Sequence, residues 1–531
     1  MSIKINNICL GLEDETVDLK AKAAKKLRLS SDKIQSISIL KESVDARKKD
    51  NIKFNYSLEV KVENEEQLVG RLGDKDVMLY KADEREKIVF GYAKFTSRPV
   101  VVGMGPAGMF AALELARNGY SPVVLERGEA VEQRTESVKN FWKTGVLNPE
   151  SNVQFGEGGA GTFSDGKLTT RIKDCRCDYV LKEFVKAGAP GEIVYSGKPH
   201  IGTDVLKVVV KSIREEIERL GGEILFNHKL EDINIENNRI KSIKVNGEEM
   251  PCQALLLAVG HSSRDTYEML FRKGIMLEQK PFAIGVRIEH SQKLINESQY
   301  GRYAGHPKLK AADYRLAHTC VDSKRAVYSF CMCPGGEVVA AASEEGLLVT
   351  NGMSDYSRDK ENANSAIVVS VGGSDFGSSS PLAGMEFQRN CERLAFAAGG
   401  GNYNAPVQLA GDFLNDRVST KLGNIAPTYT PGYRFANMRE CLPTYIIESL
   451  KEGLIHFNKK IKNFSDKNSV LTGIETRTSA PLRILRNQYF QSSNVAGLFP
   501  SGEGAGFAGG IISSAVDGIK SAEWIMKEFS A

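Results

Sequence analysis

Gly103-Met104-Gly105-Pro106-Ala107-Gly108 has the spacing G-x-G-x-x-G, the backbone pattern that admits a pyrophosphate. Gly103 permits a tight turn. Gly105 lets the chain approach a phosphate at a helix N-terminus, and Gly108 lets that helix pack on the strand before it. Pro106 and Ala107 open the helix between them. The context fits: apolar residues Pro99 to Val102 end a strand, MFAALELARNG reads as a helix, and PVVLE closes on Glu126, 18 residues after Gly108. A carboxylate there accepts hydrogen bonds from a ribose diol and disfavours a 2′-phosphate, so the nucleotide is not expected to be NADP.

Two further segments bear on which dinucleotide binds. Glu126-Arg127 is followed by a run from Gly156 to Lys167, GEGGAGTFSDGK, with little side-chain bulk and many backbone N–H groups. Gly158, Gly159, Gly161 and Thr162 suit wrapping a phosphate or a flavin edge, although a surface loop has similar composition. Near the C-terminus, GLFPSGEGAGFAGGII reads as strand, acid (Glu503), glycines and helix, and the following helix aims its N-terminus at an anion.

Together with LLLAVGHS, a buried strand ending at Ala258 and Gly260, these segments resemble the flavoprotein superfamily with two dinucleotide-binding domains. Glu503 stands where that superfamily usually has Asp, one methylene shorter, against the ribityl chain. More closely, GEGGAGTFSDGKLTTR, PFAIGVRIEH, ETRTSAPLRI and FPSGEGAGFAGGI are similar to the bacterial FAD-dependent dehydrogenase family, over nearly the whole chain. The resemblance implies FAD. It places the cofactor against Gly103, Gly105, Pro106, Ala107, Gly108, Glu126, Arg127, Gly158, Gly159, Gly161, Thr162, Ala258, Gly260, Gly502, Glu503, Gly509, Gly510 and Ile511. It names no substrate. No second strand–GxGxxG–helix unit follows, so electrons are expected from transiently bound NAD(P)H, a protein donor or the substrate itself.

In such a protein the flavin does the redox chemistry and side chains position substrate and manage protons. Cys331 and Cys333 form C-x-C, shorter than the usual C-x-x-C, in a strand-like segment where both thiols would share one face; ordinary packing competes with a catalytic role. His261, after AVG, stands near the cofactor or caps a loop. Arg287, in GVRIEH, and Glu475, Arg477 and Arg483, in GIETRTSAPLRI, are candidates for a substrate anion, as is Lys167; structural ion pairs are the competing reading for each. Neither the Cys331 and Cys333 pair nor the other C-x-C, Cys175 and Cys177, comes with a second pair or with histidines at zinc-finger spacing, so no metal is expected.

The elements around these groups indicate an α/β protein in three parts. Residues 1–97 read as a small, ferredoxin-like α+β domain of mixed charge. Residues 98–280 with 471–531 form a discontinuous Rossmann-type FAD-binding domain, and residues 281–470 an inserted, mostly antiparallel α+β substrate domain. The 70 Lys and Arg against 66 Asp and Glu, net +4, give no argument for nucleic acid. No signal peptide or membrane span is legible, which points to the cytoplasm. The leading expectation is an FAD-dependent oxidoreductase acting on a small or lipid-like molecule. A flavin-dependent RNA-modifying protein and a non-catalytic FAD-binding module stay open.

Overall fold

The computed structural model describes residues 1–531. At the N-terminus, strands Ser2–Gly11, Ser36–Asp45, Lys53–Lys61 and Val77–Tyr80 form an antiparallel sheet with the order second, third, first, fourth. Helices Asp18–Leu27 and Glu65–Leu72 connect the strands in a split βαβ arrangement. Ile3, Ile5, Ile8 and Leu10 point inward with Leu58 and Val60, against Leu19, Ala23 and Leu27. The inward set skips from Ile5 to Ile8 because Asn7 takes φ 60° at a bulge.

The second sheet has five parallel strands. Their spatial order is Leu498–Pro500, Leu255–Leu257, Val100–Val102, Val123–Glu126 and Glu223–Phe226. Numbered along the chain this is 5-4-1-2-3, a doubly wound order whose direction reverses between Val100–Val102 and Leu255–Leu257. Strands Val100–Val102, Leu255–Leu257 and Leu498–Pro500 are continuously apolar and buried because both faces are covered, whereas the edge strand Glu223–Phe226 opens on an exposed acid. Val101, Val124, Leu256 and Phe499 face helices Pro106–Arg117, Thr203–Arg219 and Ile511–Glu528. Val100, Val102, Leu255 and Leu257 face a three-stranded meander, Leu230–Glu236, Arg239–Val245 and Glu248–Pro251.

The third sheet has seven strands: Ala317–Thr319, Ala326–Cys333, Asn362–Val371, Phe282–Ser291, Val470–Glu475, Ala405–Leu409 and Tyr433–Phe435. All neighbours are antiparallel except the last pair. Helices Ala383–Ala398 and Thr444–Lys460 contribute to its core. The break expected at 470 falls at the first residue of a strand seated between Phe282–Ser291 and Ala405–Leu409, so this sheet runs on through Glu475. Leu482–Ile484 then pairs with Leu277–Gln279, and the chain returns to the parallel sheet. No helix is long and apolar enough to cross a membrane.

One close approach sets the geometry of the parallel sheet's helical layer. Helices Pro106–Arg117 and Ile511–Glu528 cross at Gly518, where a Cβ would lie 2.0 Å from the Ala107 carbonyl oxygen. Gly518→Ala is expected to destabilise the protein by about 1–3 kcal/mol through overpacking. A lowered denaturant midpoint with an unchanged m-value checks this.

Candidate functional site

A cavity of about 500 Å³ opens where the order of the parallel sheet reverses, at the carboxyl ends of its strands. Its floor is the turn after Val102. Gly103 takes φ 98°, and a Cβ on it would meet the Ala258 carbonyl oxygen at 2.4 Å. Gly108 has no freedom either: a Cβ there would sit 1.8 Å from the Gly103 oxygen. Gly105 differs. It caps the helix Pro106–Arg117 with φ −75°, and the nearest atom to its ideal Cβ is 3.8 Å away. The space beside Gly105 is thus ligand space at a helix N-terminus, and it fits a pyrophosphate.

Glu126 ends the second strand and lines the same cavity. Its Oε1 accepts from the backbone of Gly128 (2.9 Å) and Gly156 (3.0 Å), and its Oε2 from Met104 N (2.8 Å). Oε2 keeps a lone pair for a ribose hydroxyl. The carboxylate therefore does two jobs, because it also ties the hexamer to the glycine-rich loop. That loop lies against the hexamer: Gly158 N donates to Met104 O at 2.8 Å, and Gly161 packs on Ile511.

The cofactor residues expected from sequence divide into two groups. Gly103, Gly105, Pro106, Ala107, Glu126, Arg127, Gly159, Gly161, Ala258, Gly260, Glu503, Gly509, Gly510 and Ile511 line the cavity. Gly108, Gly158, Thr162 and Gly502 stand behind it. Thr162 Oγ1 donates to the Glu157 carbonyl, and Gly502 N donates to Asp517 Oδ2 at 2.7 Å. Arg127 reaches the wall but is fully engaged by Glu150 and Asp265 and lies over Phe155. Sequence reasoning missed Asp517, which also receives both arms of Arg486. The available signal was a carboxylate on the apolar face of SSAVDGIKSAEW. His261 lines the cavity with Nδ1 3.5 Å from Glu503 and a buried Nε2 that has no protein partner.

The same cavity is lined on the seven-stranded sheet's side by Lys167, Cys331, Asn351, Glu475, Arg477 and Thr478. Cys331 is not on an ordinary strand face. It takes φ 43° at a bulge between Phe330 and Cys333, which breaks the alternation expected of C-x-C. The Cys333 thiol donates to the Cys331 carbonyl at 3.3 Å, and the closeness of Cys333, Lys167 and Arg287 outweighs burial, so the Cys331 pKa falls below the thiol range while that of Cys333 rises. Lys167 donates to the Met332 carbonyl and lies 2.9 Å from Asp165. Burial pushes Asp165 up, but Lys167 and Arg358 outweigh it and hold the carboxyl at about 2.

The other candidate substrate groups pair with protein. Arg287 is fully buried behind the wall and forks onto Glu475, at 2.9 and 3.1 Å. Burial raises the Glu475 pKa and Arg287 partly offsets it. Arg483 does not reach the cavity; it pairs with Glu278 across the two-stranded ladder at 2.8 Å. Arg477 lines the wall but is held by Glu392 and Ser343. Glu392, wholly buried, also takes both arms of Arg264, at 2.9 and 2.7 Å. Burial pushes its carboxyl up, but Arg264 and Arg477 win and hold it at about 2.

Residues 97–297 match the family model for pyridine nucleotide-disulphide oxidoreductases, and residues 281–478 that described as FAD-dependent protein, C-terminal domain-like. Residues 2–61 match a domain of unknown function. An uncharacterised protein of Clostridium beijerinckii is 61% identical over 529 residues, spanning 100% of this chain and 99% of that one. Among solved structures, glycine oxidase from Bacillus cereus has 11% identity and a TM-score of 0.32, covering 81% of this chain and 98% of its own. A 3-ketosteroid dehydrogenase from Rhodococcus jostii has 13% identity and a TM-score of 0.34, covering 83% and 99%. CtdE, solved with FAD, has 12% identity and a TM-score of 0.30, covering 80% and 82%. The sheet, its cleft and the family models define an oxidoreductase of the FAD-dependent flavoprotein class. The chain belongs to the same family as the uncharacterised Clostridium beijerinckii protein.

Two glycines separate ligand space from packing space. Gly105→Val is expected to fold normally and lose FAD affinity tenfold or more, whereas Gly108→Ala loses stability as well; flavin content and thermal unfolding of both variants check this. Glu392→Gln strands two buried guanidinium groups and is expected to cost about 3–5 kcal/mol at neutral pH. Because the folded Glu392 pKa lies below that of a free carboxyl, its contribution is present above about pH 4.5 and is lost as pH falls toward 2. The acid limb of a stability–pH curve should therefore be shallower in the variant.

Proposed function

We propose that FAD lies along this cleft, with its adenosine end at Glu126, its pyrophosphate at the N-terminus of helix Pro106–Arg117, and its flavin end between Gly161, Ala258 to His261, and Gly509 to Ile511. Residues 98–280 with the C-terminal segment hold the cofactor, and the seven-stranded sheet covers the flavin end. When bound, FAD supplies two-electron redox chemistry. The substrate in this reading is a small polar molecule that enters the part of the cavity lined by Lys167, Asn351 and Cys331. The observation that carries it is continuity: Glu126 and Cys331 line one cavity, so cofactor and substrate share a single space.

The chain's own groups divide the remaining work. Lys167, kept cationic because Asp165, Cys333 and Cys331 together outweigh burial, binds a negatively charged or carbonyl oxygen. The Cys331 thiolate handles a proton at the reacting atom, and the Cys333 S–H donates to the Cys331 carbonyl at the bulge. Arg287 positions Cys331 by donating to its carbonyl at 3.2 Å.

The first test is the visible spectrum of the purified protein and its anaerobic response to NADH and NADPH. A flavin spectrum that bleaches supports a nicotinamide-driven reductase, and one that persists moves the electron source to the substrate or a protein donor. A colourless protein that takes up no added FAD sinks the reading. Alkylation of Cys331 by iodoacetamide, read by peptide mass spectrometry, is expected to be nearly constant from pH 8 to about pH 6, where an ordinary thiol slows tens-fold. FAD is expected to protect Cys331, and equal labelling with and without FAD would place the flavin elsewhere.

A further inference from the structure

We propose that His318, Cys320, Glu452 and His456 form a binding site for a zinc-class divalent metal ion, away from the flavin cleft. None of these residues lines the cofactor cavity, so the site is independent of the flavin reading. His318 lies in the edge strand Ala317–Thr319, and Cys320 follows it two residues on, so both side chains leave the same side of an extended segment. Glu452 and His456 lie in helix Thr444–Lys460 one turn apart, so they share the helix face. The strand and helix pack together and bring the two pairs face to face.

The donor atoms of His318, Cys320 and Glu452 all lie within 4.8 Å of one another. His318 Nε2 is 2.7 Å from Glu452 Oε1. The His456 ring stacks on that of His318, with centroids 4.2 Å apart and planes 20° from parallel. Zinc bonds of about 2.0–2.3 Å require tetrahedral donors about 3.5 Å apart. The three donors therefore need shifts of an ångström or so, and the stacked His456 ring is the neighbouring group that would have to reorient to serve as the fourth.

The chemistry of the set favours zinc over a hard cation. Two imidazoles and a thiol are poor partners for calcium or magnesium. One thiolate and one carboxylate neutralise a dication locally, which matters because Lys460 lies close by and donates to the Ala317 carbonyl. Without metal, Glu452 is held by His318 and by Val321 N at 2.9 Å. These hydrogen bonds keep the donors together, so binding replaces one bridge between strand and helix with a stronger one. The sequence carries no zinc-finger spacing here because Cys320 and Glu452 are 132 residues apart.

Cobalt(II) added to the chelator-treated full-length protein tests this, because tetrahedral cobalt absorbs in the red, beyond the flavin bands. One equivalent is expected to give those bands with a sulfur-to-cobalt charge-transfer feature, and zinc is expected to abolish both. Cys320→Ser should remove the charge-transfer feature, and Glu452→Gln should weaken binding tenfold or more while circular dichroism shows the fold retained. A protein that gives no tetrahedral bands at stoichiometric cobalt overturns the proposal. So do bands that persist unchanged in Glu452→Gln, the variant that remains informative if Cys320→Ser does not fold. Zinc should also raise the melting temperature of the wild type and not of Glu452→Gln; equal shifts overturn the site.

Discussion

The fully buried carboxylate of Glu392 holds two guanidinium groups from different layers of the molecule. Arg264 begins the helix that follows the parallel strand Leu255–Leu257, and Arg477 follows the last long strand of the seven-stranded sheet. Glu392 itself lies on helix Ala383–Ala398. Such an arrangement is costly to desolvate and tolerable only when nearly every arm is satisfied. Here Gln388, Ser343, Glu344 and Thr476 take most of the remaining positions, and Arg264 Nε is left without a partner. The wall that carries Arg477 and Thr478 is thereby fixed relative to the strand that carries Ala258 and Gly260, and the cleft between them acquires a definite width.

Backbone amides do comparable work on the opposite side of the cleft. Glu126 gathers three of them from the hexamer, the following turn and the glycine-rich loop, and Asp517 gathers Gly502 and Arg486. Each carboxylate pins a glycine segment that has no side chains to pack. The glycines leave room for a cofactor, and the acids give that room a shape. Preorganisation of this kind lowers the ordering cost of binding.

The parts of the site that depend on local backbone geometry were legible in the sequence. Gly103, Gly105 and Gly108 each meet a distinct steric demand, and the strand–turn–helix context around them is short-range. The two later glycine runs were legible for the same reason. What depends on cross-strand register was not. Arg287, Glu475 and Arg483 looked alike as candidate anion binders, yet register gives Arg287 to Glu475 and Arg483 to Glu278. The bulge at Cys331 is likewise invisible in a period-two pattern, because it turns on one residue adopting φ 43°. Grouping His318 and Cys320 with Glu452 and His456 requires knowing which helix covers which strand.

The order of strands in the parallel sheet also has a bearing on synthesis. Val100–Val102 sits beside Leu255–Leu257, whose other neighbour, Leu498–Pro500, is made nearly 400 residues after Val100. The helix that faces the glycine hexamer across Ala107 comes later still. A growing chain therefore carries the nucleotide fingerprint through most of its translation on a sheet lacking its final strand, with the apolar flank of Pro106–Arg117 uncovered. The cleft itself is therefore closed only when the C-terminal strand and the turn at Gly509 to Ile511 are made.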